Sequence, residues 1–295
     1  MIKLLDYRIE TFLAVCKYMN FTRAAEKMNI TQPAVSQHIR YLEEEYGIKI
    51  FKYDGKKMKL TKEGETLLNA VTTIKHDDLF LREHLKELKG ERRKLIFGTT
   101  LTIGEFVIPS HLAAYLHKYP DTSIQMMVAN TYVLLEKLNN GEIDFAIIEG
   151  YFTKSEYDYL PYSREKYIPV CGPEYVFNGK GSTVEDLLNE RLIVREPGSG
   201  TREILERTLG ERNLTIQDFK NLVEISNMNA IKSLVQANCG ITFLYEAAAR
   251  KEITEGKLKE IPLGKYNVTH DFTFVWRKGS IFAERYKKLF AILKN

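Results

Sequence analysis

Cysteine is scarce in this chain of 295 residues: Cys16, Cys171 and Cys239 are the three, and no two are closely spaced. With no signal peptide and no apolar run approaching the roughly 18 residues of a membrane span, this usage points to a soluble protein in a reducing cytosol. The six histidines (His38, His76, His84, His111, His117, His270) are scattered and include no His-Glu-x-x-His or other metal-ligand spacing. A Gly-x-Ser-x-Gly elbow is missing, as are a Walker lysine and a dinucleotide fingerprint, so hydrolase and nucleotide chemistry have little support. No low-complexity tail or internal repeat interrupts the chain.

What is present begins with Phe21 to His38, FTRAAEKMNITQPAVSQH. Before it, Ile9, Phe12, Leu13 and Cys16 recur at helical spacing, so a first helix buries one stripe. Thr22 is the expected N-cap of a short second helix whose small inward residues Ala24 and Ala25, with Met28, permit close packing. Asn29 and Ile30 turn the chain. Thr31 then caps a third helix, with Pro33 in its first turn, where a missing N–H costs nothing. Val35, Ile39, Leu42 and Tyr46 are its expected core face, and Gly47 its stop. The face left over carries Gln32, Pro33, Ser36, Gln37 and Arg40. Glutamine can pair with adenine and arginine with guanine through two hydrogen bonds each, so this face can read base edges; any amphipathic helix also has a merely solvated face.

Charge is unevenly spread. Residues 1–60 hold eleven Lys and Arg against seven Asp and Glu, so the whole formal net charge of +4 lies in the first fifth of the chain. Much of it sits in IKIFKYDGKKMKLTK, where lysines flank an Asp54-Gly55 turn between two short apolar runs. The pattern predicts a hairpin wing whose Lys56 and Lys57 meet phosphates, adding salt-dependent affinity and little sequence information.

The stretch FLAVCKYMNFTRAAEKMNITQPAVSQHIRYLEEEYGIKIF resembles the winged helix-turn-helix of LysR-type transcriptional regulators, which contains FLAV, FT-x-AA, TQPAVS, I-x-x-LE and a closing G-x-x-x-F. That resemblance implies double-stranded promoter DNA as a partner, with Thr22, Arg23 and Thr31 joining the third helix in the contact. Tyr53 departs from it: many members carry an arginine there, and Lys52 or Lys56 is the expected substitute.

Downstream, Leu60, Gly64, Leu67, Val71, Ile74, Asp78, Leu81, Leu85 and Leu88 fall at alternating intervals of four and three, a heptad seam on a helix from Lys62 to Lys89. Such a seam pairs two chains; the alternative is a helix lying on its own domain. Asp78 breaks the seam and is read as a bend, a weak point or a residue paired across a dimer. The resemblance implies a dimerising linker helix, and the family usually forms tetramers.

The charged cluster from Lys89 to Lys94 marks the next boundary. Beyond it, apolar runs alternate with amphipathic stretches, an α/β signature with ligand sites expected at strand ends. The reading has strands at 95–99, 124–128, 145–148, 167–171, 192–194, 222–225, 241–244 and 272–276. Two similar halves suggest two lobes, and resemblance to LysR-type effector domains, related in fold to periplasmic binding proteins, implies two crossings between them, placed near 151–161 and 261–271. The expected plan is a DNA-binding domain at 1–60, a linker helix at 61–90 and an effector domain at 91–295. Within the last, lobe I takes about 91–160 and 268–295, and lobe II about 161–267.

Polar groups recur at the expected strand ends: Thr100 and Thr102, Asn130 and Thr131, Glu149, and the loop REPGSGTRE with Ser199, Gly200 and Thr201. Free backbone N–H groups, hydroxyls and a helix dipole there can hold an anion, although each residue singly could just cap a helix or end a strand. Glu149 could accept a bond from a ligand or pair with Arg195 or Arg202. GTTLTIGEFVIP, ANT, EG and REPGSGTR resemble a sub-group that includes regulators of sulfur assimilation and carbon fixation, which implies a small, anionic co-inducer and no other cofactor or metal. The expected function is therefore a cytoplasmic, effector-responsive regulator binding promoter DNA as a dimer or tetramer, with RNA polymerase a candidate contact. Two alternatives stand beside it. One is a thiol redox sensor, although the region between Cys171 and Cys239, where a peroxide-sensing member carries its pair, has no cysteine. The other is a metabolic enzyme using the Gly198–Thr201 loop as an anion site.

Overall fold

Helices α1 (Tyr7–Tyr18), α2 (Phe21–Met28) and α3 (Gln32–Tyr46) close around Phe12, Val15, Ala24, Val35 and Ile39, all buried. The structure, a computed structural model, describes residues 5–90, 92–178, 181–264 and 266–294. Glu91, at the expected domain boundary, and Lys265, in the second expected crossing, lie outside them. Thr31 caps α3 as its sequence implied, accepting from Ala34 N–H at 3.3 Å, and Gly47 ends it at φ +63°. Two details differ. Asn20, not Thr22, caps α2, accepting from Arg23 N–H at 2.9 Å; Phe21 is already helical, its ring 5.7 Å from that of Phe51, which draws the helix start back. Tyr46, in the last turn of α3 before Gly47, is exposed rather than in the core.

Strands β1 (Phe51–Asp54) and β2 (Lys57–Leu60) form the antiparallel wing, with Asp54 opposite Lys57 and Gly55 at φ +61°, the left-handed geometry that a two-residue hairpin turn demands. Helix α4 (Lys62–Leu88) follows, about 40 Å long at 1.5 Å per residue. Its start presses on the base of the wing so closely that a Cβ at Gly64 would collide with the Ile50 carbonyl.

The seam along α4 is not one continuous stripe. Val71 is buried and Leu60 and Leu67 half-buried against the core of the DNA-binding domain, whereas Ile74, Leu85 and Leu88 are exposed. A different face, with Thr73, His76, Asp77 and Phe80, packs on the C-terminal domain of the same chain. Thr73 Oγ1 donates to Lys278 O at 3.0 Å, and Ser280 Oγ and Ile281 N–H donate to the Asp77 carboxylate at 2.6 and 2.9 Å. Arg285 binds both oxygens of Glu87, and the Phe80 ring lies 4.6 Å from that of Phe282. The reading of α4 as a helix lying on its own domain therefore holds for this face. Asp78 pairs with Arg82 four residues on, at 2.9 Å.

The C-terminal domain holds β3 (Lys94–Thr99), α5 (Ile108–Lys118), β4 (Ser123–Val128), α6 (Thr131–Asn139), β5 (Phe145–Ile148), β6 (Tyr157–Cys171), β7 (Arg191–Val194), α7 (Gly200–Gly210) and β8 (Asn221–Glu224). It continues through α8 (Met228–Gln236), β9 (Thr242–Tyr245), α9 (Glu246–Thr254), β10 (Lys259–Glu260), β11 (Val268–Arg277) and α10 (Ala283–Lys294). Strands β4 and β5 flank β3 in parallel, and β7 pairs in parallel with β8. Two long antiparallel strands, β6 and β11, join the two halves: their first and last residues pair beside β5, while the far end of β6 carries β9 and β10.

Strand β6 starts at Tyr157, well before Tyr167, because its alternating buried and exposed residues pair with β11 along the ribbon. Helix α9 and strand β10 had no counterpart in the sequence reading. Helix α5 is preceded by a π-helical turn, Ile103–Val107.

Candidate functional site

On the DNA-binding domain, Thr22, Arg23, Thr31, Gln32, Pro33, Gln37 and Arg40 are exposed and Ser36 is half-buried. Gln32 Nε2 donates to Ser36 Oγ at 2.8 Å, so these two side chains come to any surface as a unit. Thr22, Gln32, Ser36 and Lys56 line one groove of about 430 Å³ between α2, α3 and the wing. Arg23 instead lies over the Tyr18 ring at 5.2 Å. Lys59 pairs with Asp54 and Lys49 with Glu43. Lys52, Lys56 and Lys57 have no ion-pair partner among the described residues, which leaves them free for phosphates. His38 serves packing: its Nδ1 is 2.9 Å from Thr11 Oγ1 and its ring stands edge-on to Tyr7.

In the C-terminal domain the strand-end residues come together in two layers. The inner layer is closed. Glu149, 2% exposed, sits at the start of α7, where Thr201 Oγ1 donates to its Oε1 at 3.3 Å and Thr102 Oγ1 lies 3.4 Å from Thr201 Oγ1. The approach is so close that a Cβ at Gly200 would lie 2.6 Å from Glu149 Cγ. Thr100, directly after β3, is buried with its hydroxyl unpartnered among the described residues. The outer layer faces a cavity of about 630 Å³ between the two halves, lined by Thr131, Ser199, Gly198, Arg202, Tyr151 and Phe152, among others. Thr131 and Ser199 are buried with hydroxyls that bind no described group. A Cβ at Gly150 would strike Thr131, so the two layers touch.

Three expectations need correction. Thr100, Thr102 and Thr201 do not line the cavity but lie behind it, because the Glu149 carboxylate draws the hydroxyls of Thr102 and Thr201 to itself. Asn130 is exposed and spends its carbonyl oxygen capping α6, accepting from Val133 N–H at 3.0 Å. Finally, the negative charge at the start of α7 is the chain's own: burial pushes the Glu149 carboxyl up to about 7, opposed by hydrogen bonds from Thr102 and Thr201 and by the charge of Arg195. Glu149 does not pair directly with either arginine. Arg195 binds Glu196, and Arg202 binds Glu206 and Glu224.

Residues 7–65 match the family model described as bacterial regulatory helix-turn-helix protein, lysR family, and residues 88–295 match the LysR substrate binding domain. The chain belongs to the LysR family of transcriptional regulators. Among its relatives, the transcriptional regulator CysL of Bacillus subtilis is 28% identical over 276 residues, covering 90% of this chain and 89% of that one. The transcriptional activator CmpR of Synechocystis is 27% identical over 273 residues, covering 92% and 89%. The fold matches a full-length, singly substituted OxyR from Pseudomonas aeruginosa, with a TM-score of 0.60, 20% identity and coverage of 100% and 96%. It also matches LysG from Corynebacterium glutamicum with bound effector Arg, at TM-score 0.63, 14% identity and coverage of 98% and 97%. This LysR-type chain thus carries a DNA-binding helix-turn-helix and an effector-binding domain. Of the described residues, no helix is long and apolar enough to cross a membrane.

Arg195, named from the sequence as a candidate partner of Glu149, binds Glu196 instead, and Tyr167 and His270 were not singled out for the site at all. Arg195 is buried, with Nε and Nη2 on Glu196 and Nη1 unpartnered among the described residues. Tyr167 OH donates to Thr201 O at 2.8 Å, fixing the first turn of α7. Burial holds the His270 imidazole below its usual range, against a hydrogen bond to the Glu149 backbone. Only Arg195 had a local signal, its place in the loop before α7; Tyr167 and His270 come from β6 and β11, and only the long-range pairing brings them near. The thiol alternative gains nothing: burial pushes Cys16 up to about 12 and Cys171 to about 11, so both stay protonated and unreactive.

Proposed function

We propose that this regulator binds promoter DNA in the cytoplasm as a homodimer, or as a tetramer of such pairs, and responds to a small metabolite carrying an anionic group in the cleft between its lobes. The DNA-binding domain comprises 1–60, the dimerising linker 61–90 and the effector domain 91–295. Gln32, Ser36, Gln37 and Arg40 lie at base edges, while Thr22, Arg23, Thr31, Pro33, Lys56 and Lys57 surround them at the sugar-phosphate backbone. Dimerisation uses the exposed stripe of Ile74, Leu85 and Leu88, which no described residue of the same chain covers. Thr131 and Ser199 meet the metabolite directly, and Thr100, Thr102, Asn130, Glu149, Gly200 and Thr201 form the wall behind them. The reading contains no chemical step; RNA polymerase is the further contact at the promoter.

The carrying observation is the single exposed ridge of Gln32, Gln37 and Arg40 set beside free wing lysines, in a chain whose net charge lies entirely in this domain. Lobe I is bolted to α4 through Asp77, Thr73 and Arg285, so movement of the lobes on a ligand is carried to the linker and resets the angle between paired wings. Chromatin immunoprecipitation of the tagged chain tests this: discrete peaks upstream of genes are expected, lost in Gln37→Ala, whereas uniform signal across the genome would contradict it.

A further inference from the structure

The hairpin of the wing has two chemically different faces. Phe51 stands opposite Leu60 and Tyr53 opposite Met58, whereas Lys52 stands opposite Lys59 and Asp54 opposite Lys57. Successive side chains alternate across a strand, so Phe51, Tyr53, Met58 and Leu60 share one face and the charged residues the other. The inner part of the uncharged face belongs to the core: the Phe51 ring lies 6.2 Å from that of Phe12 and 5.7 Å from that of Phe21, and Met58 and Leu60 pack there with it. Tyr53, next outward on this face, is 70% exposed. Its hydroxyl has no hydrogen-bond partner, and its ring no aromatic or cationic neighbour, among the described residues. It lines the groove of about 430 Å³ between α2, α3 and the wing, together with Thr22, Gln32, Ser36 and Lys56. Lys56 is the one charged residue among the described residues of that lining. Lys52, offered by the sequence as a backbone contact, turns to the other face of the hairpin.

An exposed aromatic side chain is by itself ordinary on a protein surface. What distinguishes this one is its place, reaching out of the core into the groove that holds Gln32 and Ser36, on the face of the wing that its paired lysines leave uncharged. A tyrosine presents an apolar plate with a polar tip, which suits a surface that is apolar and polar in turn. The deoxyribose and phosphate of a duplex edge form such a surface. We infer that Tyr53 contacts the DNA backbone, its ring against a deoxyribose and its hydroxyl donating to a phosphate oxygen of the strand that follows the groove, with Lys56 on a neighbouring phosphate. This rests on the reading of α3 and the wing as the surface that meets DNA. A neutral donor displaces no counterion, so the contact adds affinity that salt does not remove, and it carries no direct sequence information. The wing thus holds DNA in two ways, through lysines whose contribution fades with salt and through a phenol whose contribution stays.

A backbone contact needs no cognate site, so the test is fluorescence anisotropy of a random-sequence duplex with the full-length protein at several salt concentrations. Tyr53→Phe keeps the ring and removes the donor. It is expected to weaken binding by about tenfold at every salt concentration and to leave the slope of log K against log salt unchanged. Tyr53→Arg is expected to recover the affinity at low salt and to steepen the slope by about 0.9, one more phosphate neutralised, and Lys56→Ala to flatten it by about as much. Wild-type affinity in Tyr53→Phe overturns the proposal, as does a slope that Tyr53→Arg leaves unchanged. If Lys56→Ala and Lys57→Ala flatten the slope while Tyr53→Phe binds as wild type does, the wing remains on DNA and only the phenol contact fails. If none of these four substitutions alters binding, the wing is off the duplex, and the reading of this surface falls with the contact.

Discussion

Replacing Glu149 by glutamine changes the pH dependence of stability in a direction fixed by its burial. The unfolded carboxyl ionises near the ordinary 4.5, whereas the folded one is held up to about 7. Between these values the native chain keeps a proton that the unfolded chain has lost, so stability falls as pH rises from about 4.5 to about 7 and stays low above it. The difference corresponds to about 3 kcal/mol from this one residue. The substituted amide cannot ionise, still accepts from Thr201 through its carbonyl oxygen, and removes the buried charge. Glu149→Gln should therefore match wild type near pH 4.5 and exceed it by about 3 kcal/mol at pH 8. Urea unfolding followed through the fluorescence of the single tryptophan, Trp276, buried on β11, reads the stability of this domain. Asp144, whose carboxyl burial also pushes up to about 6, bends both curves alike, so the difference between proteins isolates Glu149. Parallel curves from pH 4.5 to 8 would mean that the folded Glu149 carboxyl ionises as the unfolded one does.

On a cognate site, Gln37→Ala should cost about 1–3 kcal/mol and spare random duplexes, whereas Lys57→Ala should weaken all duplexes and lower the salt slope by about 1; anisotropy titrations at several salt concentrations separate the two. Leu85→Lys, on the exposed stripe of α4, should shift sedimentation toward monomer without lowering the midpoint of lobe unfolding, and unchanged mass would place the dimer contact elsewhere. Asp77→Ala strips the acceptor from Ser280 Oγ and Ile281 N–H and should cost about 1–3 kcal/mol. Hydrogen exchange at Ile281 should quicken in it, and unaltered protection would mean that the linker is not fastened there.

Local chemistry was legible wherever it depends on near neighbours. Thr31 and Gly47 bound α3 because a hydroxyl and a left-handed glycine act within one turn, and β5 falls on Phe145–Ile148 because a four-residue apolar run between turns is too short for a helix and fits a buried strand. Where two solutions compete within a residue or two, as Asn20 and Thr22 do, packing of Phe21 decides, and packing is not written locally. The face of α4 that packs on its own C-terminal domain was hidden for the same reason: a heptad pattern records which positions are apolar, not what covers them. At the candidate site, the hydroxyls and glycines expected at strand ends do come together in one wall. Their division into a closed inner layer and an open outer one depends on where the Glu149 carboxylate settles, and that follows from the approach of α7 through Gly200, a contact between segments far apart in the chain.

In the proposed complex, two winged helices read a symmetric site through α3. Selection of bound duplexes from a random DNA pool by the full-length protein tests it most directly. An inverted repeat whose half-sites lie on one face of the helix should be enriched, with Gln37→Ala relaxing the preference at matching positions in both halves. Recovery of unenriched random DNA, or of a motif that Gln37→Ala leaves unchanged, would contradict it.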